Sequence, residues 1–159
     1  MSSHWNTKTL SAGSRAIEIG APSVGVSATT SFVRDGALDR AIEGFASKPN
    51  GGLVLLPGPD DVRERERIVG LAIRHRLPAV YPFRYYVQVG GLISYGVNVA
   101  DLFRRAAGYV DRILRGEKPG NLPVQQPTKF ELVANLKTAQ ALGLSIPQSI
   151  LLRADEVIE

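Results

Sequence analysis

Few residues of this 159-residue chain could do chemistry, and their spacing disfavours catalysis. Arg63-Glu64-Arg65-Glu66-Arg67 is a dense charge run that could be imagined as a phosphate clamp. On a helix, however, Arg63 with Glu66 and Glu64 with Arg67 lie three apart with opposite sign, as on a solvated helix face. His4 and His75 lack carboxylate or cysteine partners at ligand spacing, so no metal site is expected and both read as surface histidines. Asp60-Asp61 is a carboxylate pair, but adjacent residues at a helix start diverge, and N-capping accounts for them. There is no cysteine, no Gly-x-Ser-x-Gly elbow, no phosphate-binding loop and no dinucleotide fingerprint. Neither an enzyme nor a cofactor is expected.

The residues suited to binding lie where apolar runs end. Pro78 to Gly96 (PAVYPFRYYVQVGGLISYG) holds four of the five tyrosines and one phenylalanine, and is broken by Gly90-Gly91. LVLL ends at Pro57-Gly58-Pro59, AVY at Pro82-Phe83-Arg84, and LISY at Tyr95-Gly96. Open parallel sheets bind ligands in the crevice beyond the carboxyl ends of their strands. If the three runs are parallel neighbours, one rim gathers Pro57, Gly58, Asp60, Phe83, Arg84, Tyr95 and Gly96 around a small solute. Prolines would fix the loops, glycines would let backbone approach, and rings would form the walls. The alternative is that Tyr81 and Phe83 fill core beneath the rim while Tyr85 and Tyr86 lie on a short helix.

The elements that must position these residues alternate between helix and strand. SRAIEIGAPSVG begins as a helix that stops at Pro22 and Gly25, and VSATTSFV is a weak strand candidate. In ALDRAIEGFAS, Leu38, Ile42 and Phe45 fall at helical spacing. GGLVLLPGP reads as a strand buried on both faces. A helix follows from Asp60 or Asp61 to about His75, with Val62, Ile68, Val69, Ala72 and Ile73 as its buried stripe. Asn98 caps the next helix, where Val99, Leu102, Phe103, Ala106, Val110, Ile113 and Leu114 share one face, and Gly116 stops it. After a proline-punctuated connection, KFELVAN reads as a strand, LKTAQALGL as a short helix ending at Gly143, and the remainder as helical or mixed. The pattern predicts an α/β fold, a mostly parallel sheet with flanking helices.

Composition narrows the class. Apolar content of 44% and charged content of 21% describe a globular chain rather than a disordered one. The net charge of +4 is dispersed, so no nucleic-acid partner is expected. No apolar run approaches the roughly 20 residues needed to cross a bilayer, and the N-terminus lacks a secretory signal layout.

GGLVLLPGP, ERIVGLAIRHRLPAVYPFRYYVQVGGLISYG and DLFRRAAGYVDRILRGEKPGNLPVQQPTKFELVANLKTAQALGLSIPQSILLRADEVIE resemble the substrate-binding components of ABC transporters, in the branch of tryptophan- and tyrosine-uptake proteins. The resemblance covers residues 16–159 and the C-terminal half of family members, which implies a truncated, partial type I periplasmic-binding (Rossmann-like) fold. It implies an ABC permease as partner and a periplasmic location, although the chain as given, without a signal, would be cytoplasmic. Residues 1–15 are expected to be a flexible lead-in. Residues 16–90 and 124–159 would form the second lobe, and 91–123 a strand and helix of first-lobe type. Since the apolar stripe of residues 98–115 needs cover, a homo-oligomer through this helix is expected. Relatives commonly carry an acidic or hydroxyl residue where Gly58 stands, so Asp60 is the available substitute for a ligand's ammonium. A non-transport effector-sensing or oligomerisation domain is the second reading.

Overall fold

The computed structural model describes residues 12–31, 37–47, 49–58 and 61–159. His4, Trp5 and Asp60 therefore lie outside the described residues, as does the end of the strand candidate at 32–33. Residues 26–31 of that candidate have no regular structure.

One five-stranded sheet organises the chain. It comprises β1 (Leu53–Val54), β2 (Ala79–Tyr81), β3 (Ile93–Val97), β4 (Phe130–Asn135) and β5 (Glu156–Ile158), in that spatial order. β1, β2 and β3 run parallel, β4 is antiparallel to β3, and β5 is parallel to β4. The expected α/β class with a mostly parallel sheet is thus observed. Ile93–Val97, expected with the first-lobe segment 91–123, is the middle strand of this single sheet, hydrogen-bonded on both sides.

Seven α-helices are described: α1 (Ala12–Gly20), α2 (Leu38–Ala46), α3 (Asp61–Arg74), α4 (Arg84–Gln88), α5 (Val99–Leu114), α6 (Leu136–Ala141) and α7 (Gln148–Leu151). Side-chain caps fix two of them. Asn98 Oδ1 accepts the Asp101 N–H at 2.8 Å to start α5, and Asn135 Oδ1 accepts the Thr138 N–H at 3.0 Å to start α6. Gly116 and Gly143 follow α5 and α6 with φ of 100° and 72°, where a left-handed residue stops a helix.

The core lies between the sheet and α3–α4. Ile68, Val69, Ala72, Ala79, Tyr81 and Tyr86 form one cluster, while Ile42, Leu71 and Leu77 form a second where α2 meets α3. This corrects the expected α3 stripe. Val62 and Ile73 are exposed and Leu71 is buried, because the helix is covered on two sides, by the sheet layer and by α2. Arg67 pairs with Glu64 at 3.0 Å, as expected of a solvated helix face, whereas Glu66 pairs with Arg65 at 3.5 Å; Arg67 also pairs with Asp39 of α2, which ties the two helices. His75 is half-buried rather than at the surface, and its Nε2 is enclosed without a hydrogen-bond partner among the described residues.

The opposite face of the sheet is open, contrary to the expectation that β1 is buried on both sides. Val54 is 58% exposed, and Tyr95 and Phe130 also lie open to solvent. β1 is shorter than the LVLL run because Pro57 has no N–H to continue the ladder. The last bond is Leu55 N–H to Val80 O at 2.9 Å. α5 carries the predicted apolar face, yet none of its residues is buried, and Phe103 and Leu114 are 73% and 82% exposed.

Candidate functional site

β1, β2 and β3 are adjacent and parallel, so their carboxyl ends share one edge of the sheet. There they enclose a hollow of about 370 Å³ whose walls include Leu56, Pro57, Phe83, Tyr95, Gly96 and Phe130. Tyr95 and Phe130 stack with ring centroids 5.9 Å apart, giving a broad aromatic wall. Gly96 sits where the strand ends converge. A Cβ there would fall 1.8 Å from the Pro82 carbonyl oxygen, so only glycine allows β3 to approach the loop after β2 this closely.

Phe83 also borders a second hollow of about 250 Å³, together with Arg84, Tyr85, Gln88, Asn98 and Glu131. This one is polar. Arg84 forms an ion pair with Glu156 and approaches Glu131 at 3.4 Å. Asn98, while capping α5, donates its Nδ2–H to Glu131 Oε2 at 2.8 Å. The buried carboxylate thus joins β4 to the starts of α4 and α5.

The structure brings together Pro57, Phe83, Tyr95 and Gly96 at the larger hollow and places Arg84 at the smaller one. Gly58 follows Pro57 and is exposed. Of the two aromatics weighed as core, Tyr81 is buried and Phe83 is half-buried, while Tyr85 and Tyr86 do lie on a short helix, α4. Tyr86 is also buried and stacks on Tyr81 at 4.9 Å, and burial pushes the Tyr81 phenol up to about 12. Sequence reasoning omitted Phe130 and Glu131, and read Asn98 only as a cap. Strand alternation held the signal for Glu131: it shares the covered face of β4 with Val133, and a carboxylate on a buried face needs partners.

A sheet that gathers an apolar hollow beyond its parallel strand ends, beside a small polar cluster, has the arrangement in which open α/β sheets bind small ligands. The profile of the family described as ABC transporter substrate binding protein matches residues 27–158, and the chain belongs to that family. A search of curated proteins gave no match. Among solved structures, it is similar to an ABC domain in complex with L-Trp from Streptococcus pneumonia, at 25% identity and a TM-score of 0.79. That match covers 92% of this chain and 51% of the other. A conserved domain protein from Vibrio cholerae is 24% identical with a TM-score of 0.78, covering 90% and 48%. The ligand-free, open form of a substrate-binding protein with adhesive properties from Clostridium difficile is 18% identical with a TM-score of 0.59, covering 94% and 52%. The chain therefore spans about half the length of these structures. Among the described residues no helix is long and apolar enough to cross a membrane.

Proposed function

We propose that this chain is the solute-binding component of an ABC-type importer, or half of one. It would hold a small aromatic solute or amino acid at the carboxyl ends of β1–β3 and deliver it, in the periplasm, to a permease. It would catalyse nothing itself. The observation that carries the reading is the apolar hollow walled by Phe83, Tyr95 and Phe130 at the place where sheets of this kind bind ligands. The L-Trp held by the Streptococcus relative supports the same solute class. Pro57, Gly58, Phe83, Arg84, Tyr95 and Gly96 would be this chain's part of the site, with Asp60 near them in sequence. A melting screen against amino acids and small aromatic solutes tests it. A ligand at 100 times its Kd stabilises by about 2.7 kcal/mol, which raises Tm by roughly 5–11 °C at this chain length. No shift with any solute at millimolar concentration would sink the proposal.

The type I two-lobed arrangement, in which α5 serves the first lobe, is part of the same proposal. So is self-association through α5, which the exposed stripe from Phe103 to Leu114 favours. The chain is expected to elute as a dimer, and Phe103→Asp is expected to yield a monomer. Light scattering that finds the unaltered chain monomeric even in concentrated solution rules this out.

A further inference from the structure

Two apolar faces of the described residues lack a covering layer, and they are of complementary kinds. The first is a stripe on α5. On the helical period Phe103, Val110 and Leu114 fall within about 40° of arc, in a line roughly 16 Å long. Arg105 and Tyr109, which donate to the Thr128 hydroxyl and the Pro123 carbonyl, lie roughly 120–160° away from that line. These bonds tie the connection before β4 to the other side of the helix and leave the stripe open. The second face is the uncovered side of the sheet. Val54 and Val80 are register partners on β1 and β2, and Tyr95 and Phe130 stack on β3 and β4. The four side chains cross four adjacent strands, about 14 Å at the usual strand spacing. A helix laid on a sheet is how such faces are buried in domains of this class. Within one chain they do not meet, since nothing on α5 is buried and all four sheet residues stay open.

We infer that the open sheet face receives α5 of a second copy, and that two copies exchange this contact reciprocally about a two-fold axis. The inference rests on the self-association proposed above and names the surface that α5 meets. Area argues for the exchange. The seven side chains are between 38% and 82% exposed. With about 150–250 Å² for each ring and somewhat less for each aliphatic chain, one helix–sheet contact hides on the order of 750 Å². That alone is the size of a chance crystal contact, whereas two reciprocal contacts reach on the order of 1,500 Å², the size of a stable interface. Pairing α5 with α5 would leave both sheet faces wet. The exchanged helix also lies over Val54, Val80, Tyr95 and Phe130, which line the larger hollow, so a second copy and a solute compete for that face.

Light scattering on charge variants of the whole chain tests this. The unaltered chain is expected to be a dimer, and Phe103→Asp and Val54→Lys are each expected to be monomers. An equimolar mixture of the two variants is expected to recover a dimer. In that mixed pair one contact is unaltered, and the other sets an aspartate on the helix against a lysine on the sheet. A dimer that survives Val54→Lys but not Phe103→Asp overturns the inference, because α5 then meets some other surface, while self-association stands. A mixture of folded variants that stays monomeric overturns it too, as does assembly beyond two chains. A monomeric unaltered chain overturns both the inference and the self-association. Circular dichroism of each variant reports its folding, and Val110→Asp with Tyr95→Lys repeats the pairing if either first variant fails to fold.

Discussion

Gly96→Ala is expected to lower the melting temperature of the chain by roughly 6–12 °C, corresponding to about 3 kcal/mol. The cause is space rather than backbone strain. The new Cβ would lie 1.8 Å from Pro82 O and 2.9 Å from Pro82 C, and both are backbone atoms that cannot turn aside as a side chain would. Relief requires β3 to move away from the end of β2, where Tyr81 and Ser94 are register partners. The larger hollow would be deformed by the same movement, because Pro82, Tyr95 and Gly96 all line it. Loss of stability and loss of ligand-induced stabilisation should therefore appear together. Gly108→Ala is the control. It lies inside α5 with nothing within 4 Å of its added methyl, so it should melt at or slightly above the parent temperature. If Gly96→Ala melts within about 1 kcal/mol of the parent, the close approach of β3 to Pro82 is not a constraint on the fold.

Much of the architecture was legible because local rules and the fold agree. Asn98 before an apolar period of helical spacing marks α5, and Gly116 and Gly143 mark helix ends with positive φ. Three apolar runs closed by Pro57, Pro82 and Gly96 marked parallel strand ends, which the sheet places side by side. What could not be read was which faces are covered. The run Leu53 to Leu56 has the same letters whether its outer side meets a helix or a hollow, and here Val54 is open. The stripe of α5 likewise shows that Phe103 and Val110 share a face, not that anything covers it. Asn98 and Glu131 are 33 positions apart, and only the antiparallel pairing of β3 with β4 makes them neighbours. Within the aromatic stretch, composition could not separate core from rim. The fold does so through position, because Tyr81 is on the covered side of the sheet and Tyr95 on the open side.

Tyr86→Ala should destabilise the chain by about 3–5 kcal/mol, which lowers Tm by roughly 6–20 °C. Tyr86 is completely buried, stacks on Tyr81 at 4.9 Å and tilts against Tyr85 at 5.0 Å, so truncation removes one side of a packed aromatic group. The residue is also tied to the chain on either side. Its N–H donates to Phe83 O at 3.2 Å, and its carbonyl accepts the Gly91 N–H at 2.8 Å. Gly91 belongs to the same packing: a Cβ there would come within 2.8 Å of both the Tyr81 ring and the Tyr86 carbonyl. Within the glycine pair after the aromatics, Gly91 thus lets the buried Tyr81 ring and the Tyr86 carbonyl lie against the backbone, while Gly90 takes a φ of 103°. Phe83 and Arg84 sit at the start of the helix that Tyr86 anchors, so a loosened α4 should weaken binding as well as stability. Tyr85→Ala, at a half-buried site, should cost distinctly less. Equal melting losses for the two variants would mean that the burial of Tyr86 does not organise this layer, and that α4 is held by its neighbours instead.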